Sequence, residues 1–294
     1  MSMFKKATKE QCKLRLAMFG VSGSGKTYSA LRIAKGLAGK EGKIAVIDTE
    51  RKSASKYSDR FQFDVADIEK PTINNIKMVI ENAKGYDVLI IDSMTHVWLE
   101  LLQEVDQIAR TKFGGNTWSA WSEGTPKQMS LINALLSFPG HIIANMRVET
   151  NWTTVTNEKG KVVPVRVGEA PKQGKGIEYE FDMLMQISQE HTALIIKDRT
   201  GKYQDQIIEL PDEKFGEELA NWLTEGTEPK PESVNIRFQK YLSGKNIITK
   251  EQLISFTKSY SLSSNNPDEL ERLLDNTDEL DEMIKVYFEQ EQAA

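Results

Sequence analysis

Gly20-Val21-Ser22-Gly23-Ser24-Gly25-Lys26-Thr27 decides the architecture of this chain because of what flanks it. Residues 14–19 (LRLAMF) form a short apolar run before it, and residues 27–37 after it carry Leu31, Ala34 and Leu37 at helical spacing. The octet satisfies G-x-x-x-x-G-K-[ST] in the strand–loop–helix setting that gives the pattern its meaning. Glycines let backbone N–H groups turn inward around phosphate oxygens, and the helix N-terminus adds partial positive charge. The expected nucleotide-binding set is Gly20, Ser22, Gly23, Ser24, Gly25, Lys26, Thr27 and Tyr28. Lys26 is placed to reach the β- and γ-phosphates, and the Thr27 hydroxyl to sit on magnesium, so ATP and Mg2+ are the expected ligands.

Strands and helices alternate outward from this loop. KIAVID (43–48) and YDVLIID (86–92) read as buried strands, and GHIIANMR (140–147) as another. Residues 71–84, 95–111 and 127–138 read as helices. Such alternation implies an α/β fold with a mostly parallel central sheet covered on both faces. Residues 148–176 are polar and aperiodic and read as one long loop. Residues 181–189, 192–197 and 203–210 then read as strands joined by short turns, and 211–223 as a closing helix. The expected division is a core over 1–225, a linker over 226–233 with its prolines and charges, and a small acidic helical module over 234–294.

A phosphate loop fixes a nucleotide, not a reaction. Asp92 ends the YDVLIID strand, so its carboxylate would emerge at the C-terminal sheet edge and serve magnesium through water. A cap on the next helix is the plainer reading. Glu50 lies two residues past Asp48. If its strand flanks the phosphate-loop strand, Glu50 enters the same cleft and can orient and deprotonate a water. Asp48 is its rival for that role, and a solvated loop acid is the plain alternative.

The run IDTE (47–50) followed by Arg51 and Lys52, together with Asp92-Ser93, resembles the RecA superfamily. That resemblance implies a RecA-like P-loop NTPase with Glu50 as the water-activating base and Asp92 serving the metal. Residues 196–201 (IKDRTG) resemble the K-x-R motif of DnaB-type helicases and related RecA-like ATPases. By that likeness Lys197 and Arg199 would complete a neighbouring subunit's ATP site, in a ring or filament. Over residues 4–223 the chain resembles phage-encoded ATPases with a compact RecA-like core, including the Sak-type single-strand-annealing group. FKKAT, TYSALRIAKGL, GIEYEFD and KDR carry that likeness. It implies a magnesium-dependent ATPase of phage-type DNA recombination or replication, working in the host cytoplasm. RecA-like proteins often carry a polar sensor at the end of the fourth core strand; here Asn145 and Arg147 share that place. The helical module lies outside the likeness and would serve a recombination or replication partner.

The long loop carries Trp152, Lys159, Lys161, Arg166, Lys172 and Lys175 against Glu149, Glu158 and Glu169. Cations there would meet the phosphates of single-stranded DNA, and Trp152 would stack on a base. KVVPVRV (161–167) also alternates like a plain edge strand. A second loop, 114–126, is expected to carry Trp118 and Trp121.

The 294 residues are 39% hydrophobic and 28% charged, as in soluble globular proteins. One cysteine, Cys12, excludes an internal disulfide and a Cys-rich zinc site. No apolar run approaches the ~20 residues of a membrane span, and the charged start lacks a leader pattern, so a cytoplasmic location is expected. The net charge of −5 is uneven. Residues 261–294 hold ten acids against Arg272 and Lys285, a net of −8, which leaves +3 on the remainder. Either the acidic tail competes with DNA for the basic loop, or it is the wet face of an amphipathic helix pair. Two other functions fit a phosphate loop: a nucleotide-dependent interaction protein with little hydrolysis, and a small-molecule kinase. The kinase reading lacks an arginine-rich lid.

Overall fold

The computed structural model describes residues 9, 11–156, 162–227, 233–245, 247, 249–263 and 266–293. The chain separates into two compact units, Met1–Thr227 and Glu228–Ala294.

The first unit runs β1 (Arg15–Gly20), α1 (Lys26–Ala38), β2 (Ile44–Asp48), β3 (Asp64–Asp67), α2 (Ile73–Asn82), β4 (Val88–Asp92) and α3 (Met94–Lys112). It continues α4 (Thr117–Ser137), β5 (His141–Thr156), β6 (Val162–Pro171), β7 (Met183–Ile187), β8 (Thr192–Asp198), β9 (Ile207–Glu209) and α5 (Glu213–Thr224). The strand order is β3-β2-β4-β5-β1-β7-β8-β9, with β6 paired to β5 alone. β3 through β7 run parallel along that order, and β8 and β9 add an antiparallel margin. Every residue of β1, β2 and β4 is buried, because helices cover both faces and leave no polar side. Helices α2, α3 and α4 close one face and α1 and α5 the other. This is the expected α/β fold with a mostly parallel sheet.

Two contacts set the layers. A Cβ at Gly36 would stand 2.0 Å from the Glu213 carbonyl oxygen, and one at Gly216 would stand 2.3 Å from that of Ile33. Helices α1 and α5 therefore touch backbone to backbone. At the N-terminal end of β1 the buried Arg15 guanidinium donates to the carbonyls of Leu14, Gly140, Leu136 and Phe138. Leu136 and Phe138 close α4, so one side chain satisfies carbonyls that a helix end leaves open.

Three expectations change. Residues 148–176 are not one irregular loop: β5 continues past the sheet to Thr156 and folds back as β6, with pairing from Val148↔Pro171 to Thr156↔Val162. Residues 117–126 are not a loop either; α4 begins at Thr117 and carries Pro126 inside it. Gly124 there is a packing residue, since a Cβ would meet Val105 of α3 at 2.6 Å. Between 203 and 210 only Ile207–Glu209 is strand.

The second unit contains α6 (Val234–Gly244), α7 (Lys250–Ser259), α8 (Pro267–Asp275) and α9 (Thr277–Ala293). Phe238, Leu242, Phe256, Leu273 and Leu280 form its core. Four of its acids are answered from within: Arg237 pairs with Glu271, Lys245 with Asp281, and Arg272 with both Glu269 and Glu279.

Candidate active site

The phosphate loop leaves β1 at Gly20 and enters α1 at Lys26. Gly23 and Gly25 take φ of 80° and 88°, which only glycine adopts freely. Helices α2, α3, α4 and α5 are capped by the side chains of Thr72, Ser93, Asn116 and Asp212. Helix α1 has glycine, Gly25, at its N-cap and no side-chain cap, so no capping side chain occupies its first N–H groups. Lys26 Nζ donates to the carbonyls of Gly20 (3.0 Å) and Val21 (2.9 Å), folded over the loop it would share with phosphate. Burial lowers the Lys26 pKa, while Asp92 and Glu50 push it back up. Ser22 and Gly23 are exposed at the tip, and Ser24 is buried. The Tyr28 ring packs against Tyr57 and Phe61, with centroids 5.7 and 5.5 Å away.

Asp92 ends β4 across from Asn145 of β5, and its Oδ2 accepts the Thr27 hydroxyl at 2.5 Å. Burial, with the charges of Glu50 and Asp48 behind it, raises the Asp92 carboxyl to about 6; the Thr27 and Asn145 side chains oppose that. Asn145 is fully buried, and neither of its amide atoms makes a hydrogen bond of normal geometry. Among the described residues no three His, Cys, Asp or Glu side chains gather as a metal cage. A hydroxyl beside one buried carboxylate instead suits Mg2+, which keeps water and phosphate oxygens as its other ligands.

The strand carrying Glu50 does not flank the phosphate-loop strand, because β4 and β5 stand between β2 and β1. Glu50 nonetheless leans back over that gap. Its Oε1 accepts Nε (3.1 Å) and Nη2 (2.9 Å) of Arg147, the register partner of Gly20. Asp48 is occupied elsewhere: its oxygens accept the backbone N–H groups of Glu50 (2.6 Å) and Ala54 (2.8 Å). The Thr49 hydroxyl contacts the Ser93 backbone at 2.8 and 3.1 Å and His96 Nδ1 at 2.9 Å, tying the loops after β2 and β4 together. Beside Glu50 a groove of about 980 Å³ opens between Arg51, Lys52, Asp67, Glu69, His96 and Glu100.

Lys197 and Arg199 stand away from their own chain's phosphate loop. Lys197 pairs in register with Leu184, three residues down β7 from Ile187, the partner of Gly20. That is roughly 10 Å along the strand and two strands across. Both side chains hold carbonyls: Lys197 those of Glu178 (2.8 Å) and Tyr179 (3.0 Å), and Arg199 that of Tyr179 (2.7 Å). Arg199 also faces Asp182 at 3.4 Å.

Of the expected DNA-contacting residues, Trp152 and Arg166 pair in register across the β5–β6 hairpin. Lys172 and Lys175 follow it, half-buried and exposed respectively. Lys159 and Lys161 lie outside the described residues. Trp118 is 88% exposed on α4, whereas Trp121 stacks on Trp98 at 5.6 Å.

Sequence reasoning missed His191. In the β7–β8 turn, its Nδ1 donates to the Ser24 carbonyl at 3.0 Å, which fixes that nitrogen as the protonated one. A Cβ at Gly25 would stand 3.1 Å from the same atom. No local motif marks a turn histidine as a phosphate-loop support.

A phosphate loop opening a mostly parallel α/β sheet, with Thr27 and a buried Asp92 joined beneath it, defines a P-loop ATPase fold. Residues 12–213 match the AAA_24 family, described as an AAA domain, and the chain belongs to that family. Comparison with curated proteins gives no match. Among solved structures, a KaiC-like protein from the hyperthermophilic archaeon Pyrococcus horikoshii OT3 is similar at TM-score 0.42 and 17% identity. That match covers 66% of this chain and 83% of the other.

Proposed function

We propose that this protein hydrolyses ATP with Mg2+. The observation that carries the reading is the gathering of Lys26, Thr27, Asp92 and Glu50 at the C-terminal edge of one parallel sheet, where α/β folds take their ligands. Lys26 and the open N-terminus of α1 hold the phosphates. Thr27 and Asp92 would hold Mg2+, which would supply charge neutralisation for the phosphate oxygens. Glu50 takes the proton from the attacking water. His191 keeps the loop in shape from behind.

Assembly and polymer binding belong to the same proposal. Lys197 and Arg199 face away from their own loop, which suits a role in a second subunit's site within a ring or filament. The β5–β6 hairpin, followed by Lys172 and Lys175, supports binding of single-stranded DNA. With these, the likeness to phage recombination ATPases supports a place in phage-type DNA recombination or replication, with the helical module receiving a protein partner.

The test is ATP hydrolysis measured against protein concentration, with and without single-stranded DNA. Glu50→Gln is expected to keep ATP binding and lose turnover by ~10²–10⁴-fold. Wild-type turnover in that variant refutes the assignment. A steep dependence on concentration supports shared sites. Phosphoryl transfer to a small acceptor is the second reading, favoured by the groove beside Glu50. Label from the γ-phosphate appearing on a compound other than inorganic phosphate would establish it.

A further inference from the structure

His96 stands on the first turn of α3 and lines the groove beside Glu50, with its side chain 21% exposed. Its Nδ1 lies 2.9 Å from the Thr49 hydroxyl, and its Nε2 lies 4.0 Å from Glu50 Oε1. The hydroxyl decides which ring nitrogen carries the proton. It accepts the Ser93 N–H at 2.8 Å and sits 3.1 Å from the Ser93 carbonyl, which can only accept. The single hydroxyl proton therefore goes to that carbonyl, and the remaining lone pair takes the proton of Nδ1. The opposite choice would set two acceptor oxygens against each other at 3.1 Å. Nε2 is then the bare nitrogen, a basic lone pair on the side of the ring that faces Glu50.

The surroundings keep the resting ring neutral. Burial and the Arg147 charge lower the His96 pKa from 6.5, and Glu50, Thr49 and Asp48 pull against them. Glu100, one turn further along α3, shares the groove. A bare nitrogen and a carboxylate do not attract each other, but they become partners once Glu50 carries a proton. Arg147, bonded to the same Glu50 oxygen, favours the ionised carboxylate and so drives that proton onward. Hydrogen bonds of this kind are long before substrate binds and tighten around it. Closing 4.0 Å to hydrogen-bond reach takes about 1 Å of side-chain movement.

We infer that His96 Nε2 receives from Glu50 the proton that Glu50 takes from the attacking water, and so returns the base to its ionised form. The Glu50 O–H bond breaks with its electron pair left on the carboxylate. An N–H bond forms on Nε2, and the imidazolium releases its proton to water in the groove. Because it acts through Glu50, His96 is a positioning residue for the proton. The inference rests on the proposed hydrolysis, but the protonated nitrogen can be read without turnover.

Turnover of the full chain, with ATP and Mg2+, is compared with that of His96→Asn across pH. Asparagine puts an amide N–H where Nδ1–H stood, so the tie to Thr49 stays while the base is gone. The variant is expected to lose about 10- to 100-fold in kcat and to keep KM within about twofold. Only the neutral ring accepts a proton, so wild-type kcat should rise with pH through a midpoint below 6.5, and the variant should lack that limb. An unchanged kcat overturns the inference even if the wild type hydrolyses ATP, and so does a lower kcat with the limb intact. Nitrogen-15 NMR of the imidazole, on the nucleotide-free chain at about pH 8, should show Nδ1 protonated and Nε2 bare. Glu50→Gln should lower the pKa of that ring. The opposite tautomer overturns the inference with or without turnover. A wild type that does not turn over ATP refutes the proposed hydrolysis, and the tautomer and the Glu50→Gln shift then decide whether His96 is the proton partner of Glu50.

Discussion

Replacing Asp92 by asparagine removes a buried charge while keeping the shape of the side chain. The carboxyl is 2% exposed and is raised from 3.8 to about 6, with burial as the largest cause. A shift of about two units corresponds to about 3 kcal/mol between the protonation states. The sign follows from the direction: the folded chain binds this proton more tightly than the unfolded one. The stability it contributes is therefore full below 3.8 and is lost as pH rises through about 6. Asparagine has no such dependence. Between about pH 4.5 and about pH 7.5 the stability of wild type minus Asp92→Asn should fall by about 2 kcal/mol. Urea denaturation without Mg2+, followed by circular dichroism on both proteins, measures it. His141 runs the other way: burial lowers it to about 4, so it loses stability as pH falls toward that value. It is common to both proteins and cancels in the difference. A flat or rising difference would refute the account of Asp92 as a buried charge awaiting a cation.

Three other outcomes follow from contacts already described. Gly36→Ala drives a methyl into the Glu213 carbonyl and should lower stability by about 1–3 kcal/mol, read by thermal melting. Arg15→Met leaves the carbonyls of Leu136, Phe138 and Gly140 without their donor and should cost at least about 3 kcal/mol in urea denaturation. Alanine at both Lys172 and Lys175 should weaken single-stranded DNA and flatten the slope of log affinity against log salt by about 1.4; an unchanged slope removes those residues from the interface.

The parts of this molecule written as local patterns were readable from the chain alone. Loop 20–27, the apolar cores of β1, β2 and β4, and the carboxylates just past them need only a few consecutive residues. What escaped depends on partners distant in sequence. β3 is a polar edge strand, DVAD, whose pairing with β2 no alternation announces. The first half of α4 holds Gly124 and Pro126, both helix breakers on propensity. Gly124 is there to admit Val105 of α3. The hairpin of β5 and β6 draws its order from cross-strand register that a polar, lysine-bearing run does not reveal. Strand adjacency does not bring Glu50 to the loop; the structure links it there through a long arginine, Arg147, which no local pattern announces.

Strand β5 spans sixteen residues without interruption. Its first part is clamped between β1 and β4 and holds Asn145 and Arg147; its second part is the free arm with β6. No loop or glycine separates the two parts, and the bulge at Asn151/Trp152 lies on the arm side. The ladder of the arm is irregular at Asn151/Trp152, four residues past Arg147, so the arm and the clamped part share one strand but not one unbroken ladder. One strand thus passes from the sheet edge beside the phosphate loop into the arm, so a single backbone segment belongs to both.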